Sequence, residues 1–274
     1  MKALSQIVNY LLPVFYLAVL YVYYLVFTGR RKALEPKTTW FLAALLVMHA
    51  LELTIRHLAL GTIPLSSIHD AFTFLAFSIV LVYMILETSL QNRGSGLFIL
   101  STALILQLIS TFNLSWQPET NELLSNPVFA VHASLSVMGY TALCLSAIYA
   151  LMYLVQNHNL KNRNLGKLFS QLPALSYLEK MSRRSMLIGI VLLGIGILLG
   201  HIVAHRVIGE FWPRDLKVIV SDLVWLFYLT GFLLALRYNW RGEKMAQLAL
   251  LAFMLLIAGG LMVLYFSESF HEFY

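Results

Sequence analysis

Long apolar runs separated by short polar stretches set the pattern of this chain. Continuous apolar runs fall at roughly 7–27, 39–60, 71–89, 97–114, 128–156, 185–205, 218–237 and 246–267. Each approaches or exceeds the ~18–20 residues with which an α-helix crosses the hydrocarbon layer of a bilayer. The pattern predicts an all-α, polytopic transmembrane bundle of about eight helices. The polar stretches between the runs are mostly short, so residues 1–274 are expected to form a single integral membrane domain with no separate soluble one. The first run is too long for a signal-peptide core and lacks a small-residue cleavage site followed by a soluble chain, so it is read as a retained span.

Composition agrees with the pattern. Hydrophobic residues make up 59% of the chain and charged residues 12%, and the mean hydropathy is +0.77. The net charge of +6 gains meaning from its placement. Stretch 28–38 carries Arg30, Arg31, Lys32 and Lys37, and stretch 157–184 carries Lys161, Arg163, Lys167, Lys180, Arg183 and Arg184. Stretch 238–245 adds Arg241 and Lys244, with Arg237 at its edge, and stretch 90–96 adds Arg93. These alternate with acidic or sparsely charged connections holding Asp70, then Glu119 and Glu122, then Glu268 and Glu272. Because basic loops stay on the cytoplasmic side, both termini are expected outside. The basic excess then reflects topology and not a nucleic-acid partner; the expected surroundings are a lipid bilayer.

That orientation gathers six of the eight histidines at the outer edge: His57, His69, His132, His201, His205 and His271. Neutral imidazole offers a nitrogen lone pair near neutral pH and is a common ligand for transition metals and haem. His201 and His205 are four residues apart and share a helix face, but no Glu accompanies them as in a metalloprotease motif, which counts against zinc. The outer stretches also carry Trp116, Phe211 and Trp212, suited either to walling a macrocycle or to the interfacial aromatic belt; for Trp116 the belt is the preferred reading. Glu52 and Arg56, four apart in the second run, suggest an ion pair in lipid, with Arg56 alternatively meeting a haem propionate or another anion. Asp222 and Glu87 are read as snorkelling or facing the bundle interior. Gly189, Gly194, Gly196 and Gly200 suggest close helix packing. The single Cys144 excludes an intramolecular disulfide and a Cys-x-x-Cys-His haem attachment site, so any haem is held non-covalently.

The segment Ile208-Gly209-Glu210-Phe211-Trp212-Pro213-Arg214-Asp215-Leu216-Lys217 resembles the tryptophan-rich external signature, approximately W-G-x-x-W-x-W-D-P-K-E, of the cytochrome c assembly family. This family includes CcsA, ResC and CcmC, with the related HemX and YpjD branches. Gly209, Trp212, Asp215 and Lys217 match without a gap; Trp225 and the run Trp240-Arg241-Gly242-Glu243-Lys244 match farther on. Arg56 with 61–66 resembles R-(x)4-G-H-x-P-L-S. Phe129 to Tyr140 resembles a segment whose histidine, here His132, is a proposed intramembrane haem ligand. Ser269-Phe270-His271-Glu272-Phe273 stands where the family has G-L-H-S-Y-G, whose histidine is an external axial ligand. The likeness is strongest over 50–90 and 128–274.

The resemblance implies a haem-handling protein of cytochrome c biogenesis that presents haem b at the external face of a bacterial-type inner membrane. The implied haem-iron ligands are His132 and His271, with Trp212, Asp215, His205 and Arg56 as further cofactor-binding residues. It implies no catalytic residue of its own. The chain would serve as a haem chaperone or as a subunit of a synthetase, with an apocytochrome c and an accessory membrane subunit as partners. Departures point to the HemX and YpjD branches: Ile208 and Arg214 stand in place of signature tryptophans, and Leu233 stands where the family has a second external histidine. His205 or His201 is the conjectured substitute. Two alternatives stay open, a non-catalytic HemX-like regulator of haem metabolism and a transporter or channel lined by Glu52, Arg56 and Asp222. The lack of internal repeats counts against the second.

Overall fold

A computed structural model of the chain describes residues 2–60, 67–90, 93–114, 116, 126–163 and 173–266. Its regular elements are helical: α1 (Lys2–Phe27), a 3-10 turn (Lys32–Lys37), α2 (Thr38–Leu60), α3 (Ile68–Leu90), α4 (Gly96–Phe112), α5 (Pro127–Lys161), α6 (Leu175–Ile208), α7 (Leu216–Arg237) and α8 (Glu243–Phe266). Each predicted run coincides with one helix. Seven of the helices are long and apolar enough to cross a membrane, and α4, with 17 residues, is shorter. At 1.5 Å per residue α4 spans about 26 Å, close to the ~30 Å hydrocarbon thickness. The chain is a multi-pass membrane protein.

The largest departure from the hydropathy pattern is α6, which starts at Leu175 and not near 185. Glu179, Lys180, Arg183 and Arg184 interrupt the apolar run there, yet Tyr177, Leu178, Met181 and Ser182 between them are buried. Charge on one face and burial on the other is an amphipathic extension, which a count of consecutive apolar residues cannot register. Ser146 and Ser182 fasten it to α5 by reciprocal bonds: each hydroxyl donates to the other's backbone carbonyl, at 2.8 and 2.9 Å. With 35 and 34 residues, α5 and α6 each measure about 50 Å and outreach the hydrocarbon layer.

The helices form two compact units, residues 1–126 and 127–274. In the first, α1 packs on α2, α2 on α3, α3 on α4, and α4 back on α1. In the second, α5 packs most extensively on α6, α6 on α7, α7 on α8, and α8 back on α5. Each unit is a closed ring of four helices.

The rings are filled differently. In the first, buried Glu87 on α3 accepts from the Tyr23 hydroxyl of α1 and, at 3.2 and 3.1 Å, from the Thr38 and Thr39 hydroxyls of α2. The guanidinium Nε of Arg93 stands 3.6 Å from the same carboxylate, so one side chain ties three helices and the following turn. In the second, an apolar cluster including Leu143, Met186, Leu193, Tyr228, Phe232 and Met245 fills the interior. The expected close helix contact at the glycines is present: a Cβ on Gly189 would meet Leu143 at 2.6 Å, and one on Gly139 would meet the backbone nitrogen of Leu193 at 2.7 Å. Small residues at a lipid-embedded interface let backbones approach where dispersion does the holding.

Candidate functional site

The end of α6 and the start of α7 build one wall of a cavity in the second unit, and the turn between them packs on His201 of that wall. Gly209 closes α6 in the left-handed region, at φ 83°, with its N–H bonded to the His205 carbonyl at 3.0 Å. Glycine adopts that conformation without a Cβ penalty. Asp215 opens α7 as its N-cap, the carboxylate accepting the Lys217 N–H at 2.8 Å. Between these stops, Phe211 and Trp212 fold back over the last turn of α6. Phe211 stacks on the His201 ring, with 5.3 Å between centroids, and Trp212 meets the same ring edge-on at 5.4 Å.

The cavity has a volume of about 120 Å³. Its polar lining comes from His132, Ser136 and Tyr140 on α5, His201 on α6, and Lys217, Ser221 and Asp222 at the start of α7, with Phe129, Leu193 and Ile197 among the apolar walls. His132 Nδ1 lies 2.7 Å from the Gly196 carbonyl oxygen. A carbonyl only accepts, so Nδ1 carries the hydrogen and the neutral ring keeps its lone pair on Nε2. Gly200 makes room for that ring: a Cβ there would stand 2.6 Å from His132 Cε1. Imidazoles that ligate metals are commonly fixed in this way, through a second-nitrogen bond to a carbonyl.

His201 is arranged otherwise. Its Nε2 lies 3.3 Å from Asp222 Oδ2, and the Trp212 indole N–H donates to that oxygen at 3.2 Å. A carboxylate beside Nε2 favours a hydrogen on that nitrogen over an open lone pair, unlike the arrangement at His132. Tyr140 donates to the Ser221 hydroxyl at 3.3 Å.

The residues expected to bind a cofactor are therefore dispersed. His132 lines the cavity, and Trp212 acts through Asp222. Asp215 serves as a helix cap. His205 is exposed, meets Phe211 edge-on at 6.5 Å between centroids, and is not a lining residue of the cavity. Arg56 is buried in the first unit, where it pairs with Asp70 of α3 and not, as its spacing suggested, with Glu52. Trp116, expected as a belt residue, lies with its ring 5.4 Å from the Arg56 guanidinium carbon, a cation–π contact. His271 and 61–66 lie outside the described residues. Leu233 on α7 is 53% exposed. The reading of the sequence passed over the His201–Asp222 pair as a unit; its signal was an ionisable residue one turn into a span, which is rarely without a partner.

Comparison with known proteins places this geometry. Residues 65–271 match the protein family described as cytochrome C assembly protein. The chain belongs to that family. It is similar to a cytochrome c biogenesis protein CcsA of Pyropia yezoensis, 24% identical over 274 residues covering 85% of this chain and 86% of the relative. The CcsA of Prochlorococcus marinus (strain AS9601) is 26% identical over 250 residues, 81% of this chain and 80% of the relative. Protein HemX of Brevibacillus brevis is 32% identical over 160 residues, 57% of this chain and 58% of that protein's length. As a cytochrome c assembly family member, this chain shows likeness to both the CcsA and the HemX branches.

Proposed function

We propose that this protein handles haem in cytochrome c biogenesis, with His132 as an axial ligand and the turn 209–215 at the external face. The observation that supports it is the fixed tautomer of His132, whose Nε2 lone pair is left available on a residue lining the cavity. Pockets that enclose a drug-sized ligand measure roughly 300–1,000 Å³. A cavity of about 120 Å³ suits one edge of a macrocycle, the remainder lying on apolar surface. Haem here is cargo: a recipient apocytochrome supplies the thiols for covalent attachment, since this chain has Cys144 alone. His271, Trp212, His205, Asp215 and Arg56 complete the proposed haem-binding set, in a bacterial-type inner membrane with both termini outside. An accessory membrane subunit completes the assembly.

The chain's own residues prepare the site. The Gly196 carbonyl orients the His132 ring, Gly200 gives it room, and the Trp212–Asp222–His201 group holds the outer wall in place. Absorption spectra of the detergent-purified protein, oxidised and reduced and with added haem, test the reading. A Soret band lost in His132→Ala is expected. A colourless protein after haem supplementation overturns it.

A second reading, a non-catalytic HemX-like regulator or assembly factor in haem metabolism, is favoured by Ile208, Arg214 and Leu233 at positions where the family has tryptophans and a histidine. The colourless outcome would select it.

A further inference from the structure

The first unit buries three carboxylates whose surroundings differ sharply. Glu87 accepts from Tyr23, Thr38 and Thr39. Asp70 pairs with Arg56 and accepts from the Ser67 backbone N–H at 3.1 Å and the Ser67 hydroxyl at 2.8 Å. Glu52, 0% exposed in the middle of α2, accepts from nothing: neither of its oxygens has a hydrogen-bond donor among the described residues. Leaving a buried carboxylate without a donor costs several kcal/mol, on the order expected for an unpaired ion in a low-dielectric interior. A merely structural glutamate would be placed as Glu87 is.

Facing Glu52 is His69 of α3, also 0% exposed, whose Nε2 stands 3.8 Å from Glu52 Oε1 and has no hydrogen-bond partner of its own among the described residues. The other ring nitrogen settles the tautomer. His69 Nδ1 lies 2.9 Å from the Ser110 backbone carbonyl oxygen of α4, so it carries a hydrogen. The Ser110 hydroxyl donates to the His69 carbonyl at 2.8 Å, fixing the ring from the other side. The neutral imidazole then points its Nε2 lone pair at a carboxylate oxygen. Two acceptors confront each other in a buried site with no donor between them among the described residues, at a separation about 0.6 Å beyond the upper end of a hydrogen bond. A proton on either atom turns this repulsion into a hydrogen bond.

We propose that Glu52 and His69 form an intramembrane proton-binding site in the first helical unit, holding one exchangeable proton between Glu52 Oε1 and His69 Nε2. Of the other ionisable groups buried on the packed helices, Arg56 of α2 pairs with Asp70 of α3, and His49 of α2 meets the Tyr16 hydroxyl of α1 through Nδ1 at 3.0 Å, while its Nε2 has no hydrogen-bond partner among the described residues. Thr73 of α3 donates to Gln107 of α4 at 2.9 Å. The ligand is the proton itself, bound where buried ionisable residues in membrane proteins commonly mark a relay position. The site uses none of the residues that line the cavity of the second unit, so it stands or falls independently of haem binding.

The test is infrared spectroscopy of the full-length protein in detergent, in H2O and D2O, beside nitrogen NMR of histidine-labelled protein. One signature is expected: either a carboxylic-acid carbonyl band that shifts in D2O and disappears in Glu52→Gln, or a protonated Nε2 on His69 whose resonance moves in Glu52→Gln. In Glu52→Gln the amide N–H replaces the shared proton, so this variant is expected to keep its helix content and elute as the parent does. His69→Gln serves as the reciprocal variant, expected to displace the carboxyl band. Finding at neutral pH neither an acid carbonyl assignable to Glu52 nor a proton on His69 Nε2 overturns the proposal.

Discussion

The two four-helix rings solve the same problem with opposite means. The first buries Glu52, Arg56, Asp70 and Glu87, together with His49 and His69, whereas among the described Asp, Glu, Lys, Arg and His residues of the second only His201 is buried. In the first ring helices are joined by directional bonds between charged or polar side chains. In the second they are joined by close backbone approach at glycines and an apolar interior. Polar ties specify partners but leave a full desolvation cost if one member is lost. Packing at glycines is sensitive to added volume and indifferent to charge. The ring that joins its helices through polar side chains is not the one with the described cavity.

The contrast is broken first at Asp70. Asp70→Ala removes the buried carboxylate that pairs with the Arg56 guanidinium, and the expected loss is about 3–5 kcal/mol, read from thermal or denaturant unfolding in detergent. Replacing both members with apolar residues should recover most of that loss. If Asp70→Ala is as stable as the parent, the polar account of the first ring fails.

At the α5–α6 contact the expected sensitivity is to volume. Gly139→Ala drives a methyl against the Leu193 backbone, 2.7 Å away, and overpacking of this kind costs about 1–3 kcal/mol. A neutral outcome in the same unfolding assay would show that α5 and α6 slide apart at no cost. Smaller still is Asp215→Ala, where loss of the α7 N-cap costs about 1 kcal/mol. Hydrogen exchange should locate that change in the first turn of α7 and leave the apolar cluster of the second ring as protected as before; exchange spread across that cluster would contradict a local role.

All eight helices were legible because lipid demands long apolar runs, and that demand is written residue by residue. The start of α6 was not, because its last turns before the membrane are amphipathic and a run-counting rule stops at Lys180, Arg183 and Arg184. The turn between α6 and α7 was legible where the signature fixes backbone shape: Gly209 and Asp215 match the family and end one helix and begin the next. Pairings were not legible. Spacing along α2 suggested Glu52 with Arg56, yet Arg56 pairs with Asp70 of α3. Helical spacing reports which residues share a face and is silent about what the neighbouring helix brings to it.

One oxygen atom, Asp222 Oδ2, serves both the Trp212 indole and the His201 ring. The 209–215 turn and the cavity wall therefore share one polar tie, beside the ring contacts of Phe211 and Trp212 with His201. A visitor that captured that atom would loosen both contacts at once.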